Sequence, residues 1–135
     1  MLALDESVWA EMVGHAYDGL PDEACGLFAA TPGSDRVERF YPCTNEAASS
    51  RVYSIGGLDI MRSERDAESR GLQIVGVMHS HTHTQAYPSP TDVDQAPDPD
   101  WHYIIVSLRQ EAPVLRSYAI RDGEITEEPV GLVGR

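Results

Sequence analysis

LQIVGVMHS, residues 72–80, is the segment that most limits what this chain can become. It is an apolar run containing Val and Ile with little polar alternation, which predicts a strand buried on both faces. WHYIIVSL, residues 101–108, repeats the pattern. Strands of this kind need a covering layer above and below. Residues 5–19 predict one such layer, a helix in which Trp9, Met12, Val13, Ala16, Tyr17 and Leu20 recur at three- and four-residue steps until Pro21. Trp9 and Tyr17 are expected in its core face. Residues 58–70 predict a second helix, with Gly71 as its C-terminal cap.

The other segments read as strands and turns. ACGLFAAT (24–31) and RVERFYPC (36–43) form an expected hairpin around Pro32-Gly33-Ser34-Asp35. SRVYSI (50–55) is a shorter strand candidate, and residues 114–130 predict a last hairpin turning at Asp122-Gly123. Of Trp101, His102 and Tyr103, one alternate set should pack inward; His15 and His102 have no partner that spacing identifies. Helices interspersed with hairpins and buried strands predict an α/β fold with a mixed sheet. The 135 residues, 41% of them hydrophobic, suit one domain, 1–135.

Ten Lys and Arg against 22 Asp and Glu give a net charge of −12, which argues against nucleic acid as a partner. The N-terminal segment carries acids where a signal peptide carries basic residues, and no apolar run is long enough for a bilayer. A cytoplasmic protein with no membrane association is expected. In a reducing compartment Cys25 and Cys43 should be free thiols, Cys25 serving as a small buried hydrophobe. Arg51 and Arg62 read as solvated surface.

Chemistry concentrates in MHSHTHTQAYPSPTD, residues 78–92. His79 and His81, two apart on an extended strand, project from one face. Alone, such a pair is more often incidental than ligating. Ser89-Pro90-Thr91-Asp92 reads equally well as a capping box that opens a short helix, though a helix start also presents a carboxylate rigidly. His79, His81 and Asp92 are therefore candidate ligands for a divalent metal such as zinc, with a fourth position left open. His83 continues the spacing as a rival ligand; the tight loop this would require favours a supporting or substrate-contacting role. A zinc deaminase would need His-x-Glu and a downstream Pro-Cys-x-x-Cys, and neither is present.

His79-Ser80-His81, seven further residues, Ser89, two more and Asp92 together resemble the JAMM (MPN+) metallopeptidase signature. Pro21-Asp22-Glu23-Ala24-Cys25-Gly26-Leu27 resembles the setting of the upstream glutamate that signature requires. Thr82 stands where many members have Pro, and HTHTQAYPSPTD is similar to the bacterial Mec branch. The resemblance implies a single-domain α-β-α sandwich with a mixed, curved sheet of the cytidine-deaminase-like kind. It implies one Zn2+ per chain on His79, His81 and Asp92, Glu23 as general base, and Ser89 as donor to the developing oxyanion. The implied substrate is a ubiquitin-like sulfur-carrier protein whose C-terminal Gly-Gly carries cysteine. Hydrolysis of that amide would release cysteine and carrier in cysteine biosynthesis. A JAMM peptidase that trims a ubiquitin-like precursor or an isopeptide conjugate is the alternative. A non-catalytic scaffold of the same fold is the alternative from another class, and the complete signature weighs against it.

Overall fold

Across residues 1–134, which the computed structural model describes, the elements follow in this order. They are β1 (Leu2–Asp5), α1 (Glu6–Asp18), β2 (Cys25–Ala30), β3 (Arg36–Cys43), α2 (Gly57–Ser69), β4 (Gln73–His81), α3 (Pro90–Asp94), β5 (His102–Ser107), β6 (Val114–Arg121), β7 (Glu124–Glu128) and β8 (Val130–Val133). The strands make one curved, mixed sheet of eight in the order β7-β6-β5-β4-β2-β3-β1-β8. β4 runs parallel to β5, and β1 parallel to β3 and β8; the other pairs are antiparallel.

The two unalternating runs became the adjacent interior strands β4 and β5, as their apolar character required. Their side chains serve different layers by parity. Met78, Ile104 and Val106 join Phe28 and the α1 residues Val8, Met12 and Ala16 in one core. Val77, Tyr103 and Ile105 join Leu27, Cys25 and Cys43 in the other. Burying each such aliphatic or aromatic side chain contributes roughly 1.5–3 kcal/mol. α2 packs on β2 and β4 and buries only Ser63 and Ala67, while Asp66 accepts from the Tyr41 hydroxyl at 2.6 Å. Gly76 allows the close approach at the centre, because a Cβ there would run into the His102 carbonyl and the Phe28 ring. His79 and His81 share the parity of Val77, so they belong to the second layer.

Several expectations need correction. Tyr17 and Leu20 are 43% and 46% exposed, so the buried stripe of α1 is narrower than the periodicity suggests; Trp9 is half-buried against the core. SRVYSI forms no strand, only an isolated bridge between Ile55 and Asn45. The Asn45 side chain takes over the pairing there: Nδ2 donates to the carbonyls of Glu23 and Val52, and Oδ1 accepts from Ala47 N and Ser54 N. Strands β1 and β8 carried no periodic signal because each has four residues. Val130 was expected to end the last hairpin; it instead starts β8 opposite Leu2. The hairpin turn itself lies at Asp122 and Gly123, both with positive φ.

His15 and His102 do have partners. The His15 ring nitrogen Nε2 lies 2.9 Å from the Cys25 carbonyl and 3.2 Å from that of Cys43, and His102 Nδ1 lies 2.7 Å from a Glu128 carboxylate oxygen. Trp101 and Tyr103 are the set that packs inward. Both cysteines are free and buried. Among the described residues no helix is long and apolar enough to cross a membrane.

Candidate metal centre

β4 delivers both histidines at its C-terminal end, where its last six residues are buried. Asp92 arrives from a different direction, through the first turn of α3. Ser89 is the N-cap of that helix: Asp92 N donates to Ser89 Oγ at 3.1 Å, and Ser89 N donates to Asp92 Oδ2 at 2.8 Å. The capping box therefore exists, and it aims the carboxylate. Asp92 Oδ2 lies 3.0 Å from His81 Nε2 and 3.2 Å from His79 Nε2, and the two ring nitrogens are 3.1 Å apart. His79, His81 and Asp92 are brought together in one potential ligand set. His83 is not part of it; its ring is exposed, with Nδ1 2.8 Å from Thr82 Oγ1.

Donor chemistry fits a cation between these atoms. The Gln85 carbonyl accepts from His81 Nδ1 at 2.8 Å, which places the hydrogen on that nitrogen and turns a lone pair of Nε2 inward. Burial lowers the proton affinity of His79 and favours its neutral, ligating form. Burial opposes ionisation of Asp92, yet the adjoining His79 and His81 rings and the Ser89 N–H outweigh it and hold the carboxyl well below the usual range. With the Nε2 of His79 also turned in as a lone pair, three acceptors at mutual distances of 3.0–3.2 Å would repel one another unless positive charge lay among them. A tetrahedral zinc with ligand distances of about 2.0–2.1 Å separates neighbouring ligand atoms by about 3.3 Å, close to this spacing.

Glu23 stands beside this set, just before β2. Its backbone N–H donates to the Ser49 carbonyl, and Asn45 Nδ2 holds its carbonyl. Its neighbour Ala24 is tied to the His-bearing strand, donating to Ser80 Oγ at 2.8 Å. The Glu23 side chain is 4% exposed, and its Oε1 has no hydrogen-bond partner among the described residues. Burial pushes its pKa from 4.5 up to about 8, against the opposing pull of His81. A buried carboxyl of this kind exchanges a proton near neutral pH.

Four contributors escaped the sequence reading. Tyr53 stacks on His79, Asn45 holds the Glu23 backbone, Ser80 ties β4 to Ala24, and the Gln85 carbonyl orients His81. Ser80 and Gln85 lie inside the histidine segment. Tyr53 and Asn45 carry no local signal because an irregular loop brings them in. An apolar groove of about 450 Å³ opens at Tyr53, with Leu27, Ile55, Val77 and Trp101 in its walls.

The family model described as prokaryotic homologs of the JAB domain matches residues 5–121. The CysO-cysteine peptidase of Mycobacterium tuberculosis is 47% identical over 123 residues, covering 90% of this chain and 84% of that protein. The desampylase of Haloferax volcanii is 32% identical over 111 residues, or 78% of this chain and 80% of its own. A Desulfitobacterium hafniense protein of known solution structure superposes with a TM-score of 0.92 at 34% identity, covering 100% of this chain and 94% of that one. A mixed, curved α/β domain with these relatives defines a peptidase, a hydrolase of the JAB1/MPN fold. The chain belongs to the JAB (JAMM) family, as a Mec-type peptidase.

Proposed function

We propose that this chain is a cytoplasmic zinc peptidase that cleaves the amide between the C-terminal glycine of a ubiquitin-like sulfur-carrier protein and cysteine. The products are free cysteine and regenerated carrier, a step in cysteine biosynthesis. The observation that carries this reading is the convergence of His79 Nε2, His81 Nε2 and Asp92 Oδ2 beside the buried carboxyl of Glu23, whose Oε1 has no partner among the described residues. The 47% identity to a CysO-cysteine peptidase supports the choice of substrate.

His79, His81 and Asp92 would hold one Zn2+ per chain. When bound, zinc supplies Lewis acidity that polarises a carbonyl and brings water's pKa towards neutrality. Glu23 takes the proton of the attacking water, retains it in its desolvated pocket, and passes it to the departing nitrogen. Ser89 Oγ already accepts from Asp92 N, so its hydroxyl proton is available to the developing oxyanion. Tyr53 shields the His79 ring and begins the apolar groove that would receive the acyl side of the substrate.

A second reading keeps this chemistry and changes the substrate to a ubiquitin-like precursor or an isopeptide conjugate; the identity to a desampylase favours it. Mass spectrometry separates the two. A carrier ending in Gly-Gly-Cys should lose one cysteine, the loss blocked by a chelator and restored by zinc, while C-terminally extended and isopeptide-linked carriers stay intact. Cleavage of only the latter would overturn the first reading in favour of the second.

A further inference from the structure

We propose that the pocket lined by Gln85, Tyr87, Ser107, Arg109 and Arg116 is the leaving-group subsite, and that Arg109 binds the α-carboxylate of the residue released. This rests on the proposed amide hydrolysis and adds to it the recognition of the amine side.

Two cavities of opposite character have walls that touch the histidines of the candidate metal centre. Tyr53 and Val77, beside and below His79 on β4, open the apolar groove. On the side of His81 lies a cavity of about 370 Å³. Two of its wall residues contact the centre's framework directly. Gln85 accepts from His81 through its carbonyl, and Ser107 pairs with His81 in the β4–β5 register while its hydroxyl donates to the Thr84 carbonyl at 2.5 Å. One segment, 82–88, thus forms a wall of this cavity and orients a candidate ligand. The Tyr118 hydroxyl, also in the wall, holds that segment through the Ala86 carbonyl.

Charge separates the two cavities. The chain has 10 Lys and Arg against 22 Asp and Glu, yet two arginines line this one pocket. Arg116 is engaged by Glu127, also a wall residue, at 2.8 Å. Arg109 makes no ion pair among the described residues, and its only hydrogen bond there is through its backbone N–H to Ser107 Oγ. Its guanidinium is available to a carboxylate. An amide substrate has an acyl side and an amine side, and a terminal residue on the amine side carries a free carboxylate. A residue linked through its side chain within a larger protein does not. The pocket would therefore favour release of a single terminal amino acid over cleavage of an isopeptide.

Kinetics on paired substrates test this with the zinc-loaded enzyme. One carrier ends in an amide-linked cysteine and the other in cysteinamide. The wild type should favour the acid, and Arg109→Ala should raise KM for the acid about tenfold, as expected for one partly solvated charge-assisted contact, while leaving the cysteinamide carrier unaffected. Arg109→Glu should weaken the acid further with the amide again unchanged. Equal effects on both carriers, or none on the acid, would overturn the proposal. Wild-type enzyme inert on both carriers would count against the proposed function instead. The subsite is then judged by NMR titration of the metal-stripped protein. Free cysteine should shift the amides of Gln85, Ser107 and Arg109, and the shifts should vanish in Arg109→Ala. Equal shifts from cysteinamide or acetate would overturn it.

Discussion

The ring of Tyr53 lies 4.6 Å from that of His79, centroid to centroid, and 21° from parallel. The same tyrosine is a wall of the apolar groove, so one side chain joins that cavity to the candidate metal centre. A stacked aromatic pair is worth about 0.5–1.5 kcal/mol beyond simple burial. Tyr53→Ala should retain its metal and lose roughly 3- to 10-fold in kcat/KM, whereas Tyr53→Phe should stay near wild type. Steady-state kinetics with metal analysis checks both, and loss of metal in Tyr53→Ala would show that the ring supports binding of the ion instead.

Glu23 and His81 should separate base from ligand. Glu23→Gln should keep about one metal per chain and lose hydrolysis, while His81→Ala should lose the metal on dialysis. Elemental analysis beside the peptidase assay reads both, and full activity in Glu23→Gln would remove the base assignment.

The same glutamate should cost stability in the metal-stripped protein. Its folded pKa is raised from 4.5 to about 8, so between those values the folded state binds more protons than the unfolded chain. Stability must therefore fall as pH rises through that window. Metal-stripped Glu23→Gln escapes this dependence and should exceed wild type by on the order of 1–3 kcal/mol or more at pH 9, because its amide stays neutral where the carboxyl must ionise in a buried site. Urea denaturation across pH measures the difference.

Ser89 serves α3 and, in the proposed reaction, the oxyanion. Ser89→Ala should cost about 1 kcal/mol of stability through the lost cap. Its kcat should fall about 10²- to 10³-fold, far more than the stability change accounts for. A kcat near wild type would leave Ser89 as a cap alone.

Glu128 offers a pH test away from the site. Burial opposes its ionisation, but His102 and the Ser117 hydroxyl outweigh that and lower its pKa below 4.5. Stability from this depressed carboxyl is present above 4.5 and lost as pH falls through the folded value. Glu128→Gln should be about 1 kcal/mol less stable than wild type near neutral pH, with the gap closing in acid. Thermal melts over a pH series follow it.

Hydrophobic pattern and motif spacing made much of this protein legible. The runs at 72–80 and 101–108 could only be central strands, and two-residue spacing put His79 and His81 on one face. The capping pattern at Ser89 and Asp92 was visible too. Tyr17 was misplaced because periodicity identifies a stripe without its width, and residues 50–55 were misplaced because the side chain of Asn45, which no hydrophobic pattern marks, satisfies that backbone.

By itself, then, the sequence determined the central strands, the turn chemistry and the candidate ligands, since each is a property of neighbouring residues. Tertiary structure alone decided that Asp92 Oδ2 meets both ring nitrogens, that Glu23 Oε1 is buried with no partner among the described residues, and that one cavity is apolar and the other bears arginines. Those facts depend on distances across a sheet and on exclusion of water, which arise only when segments far apart in the chain are packed together.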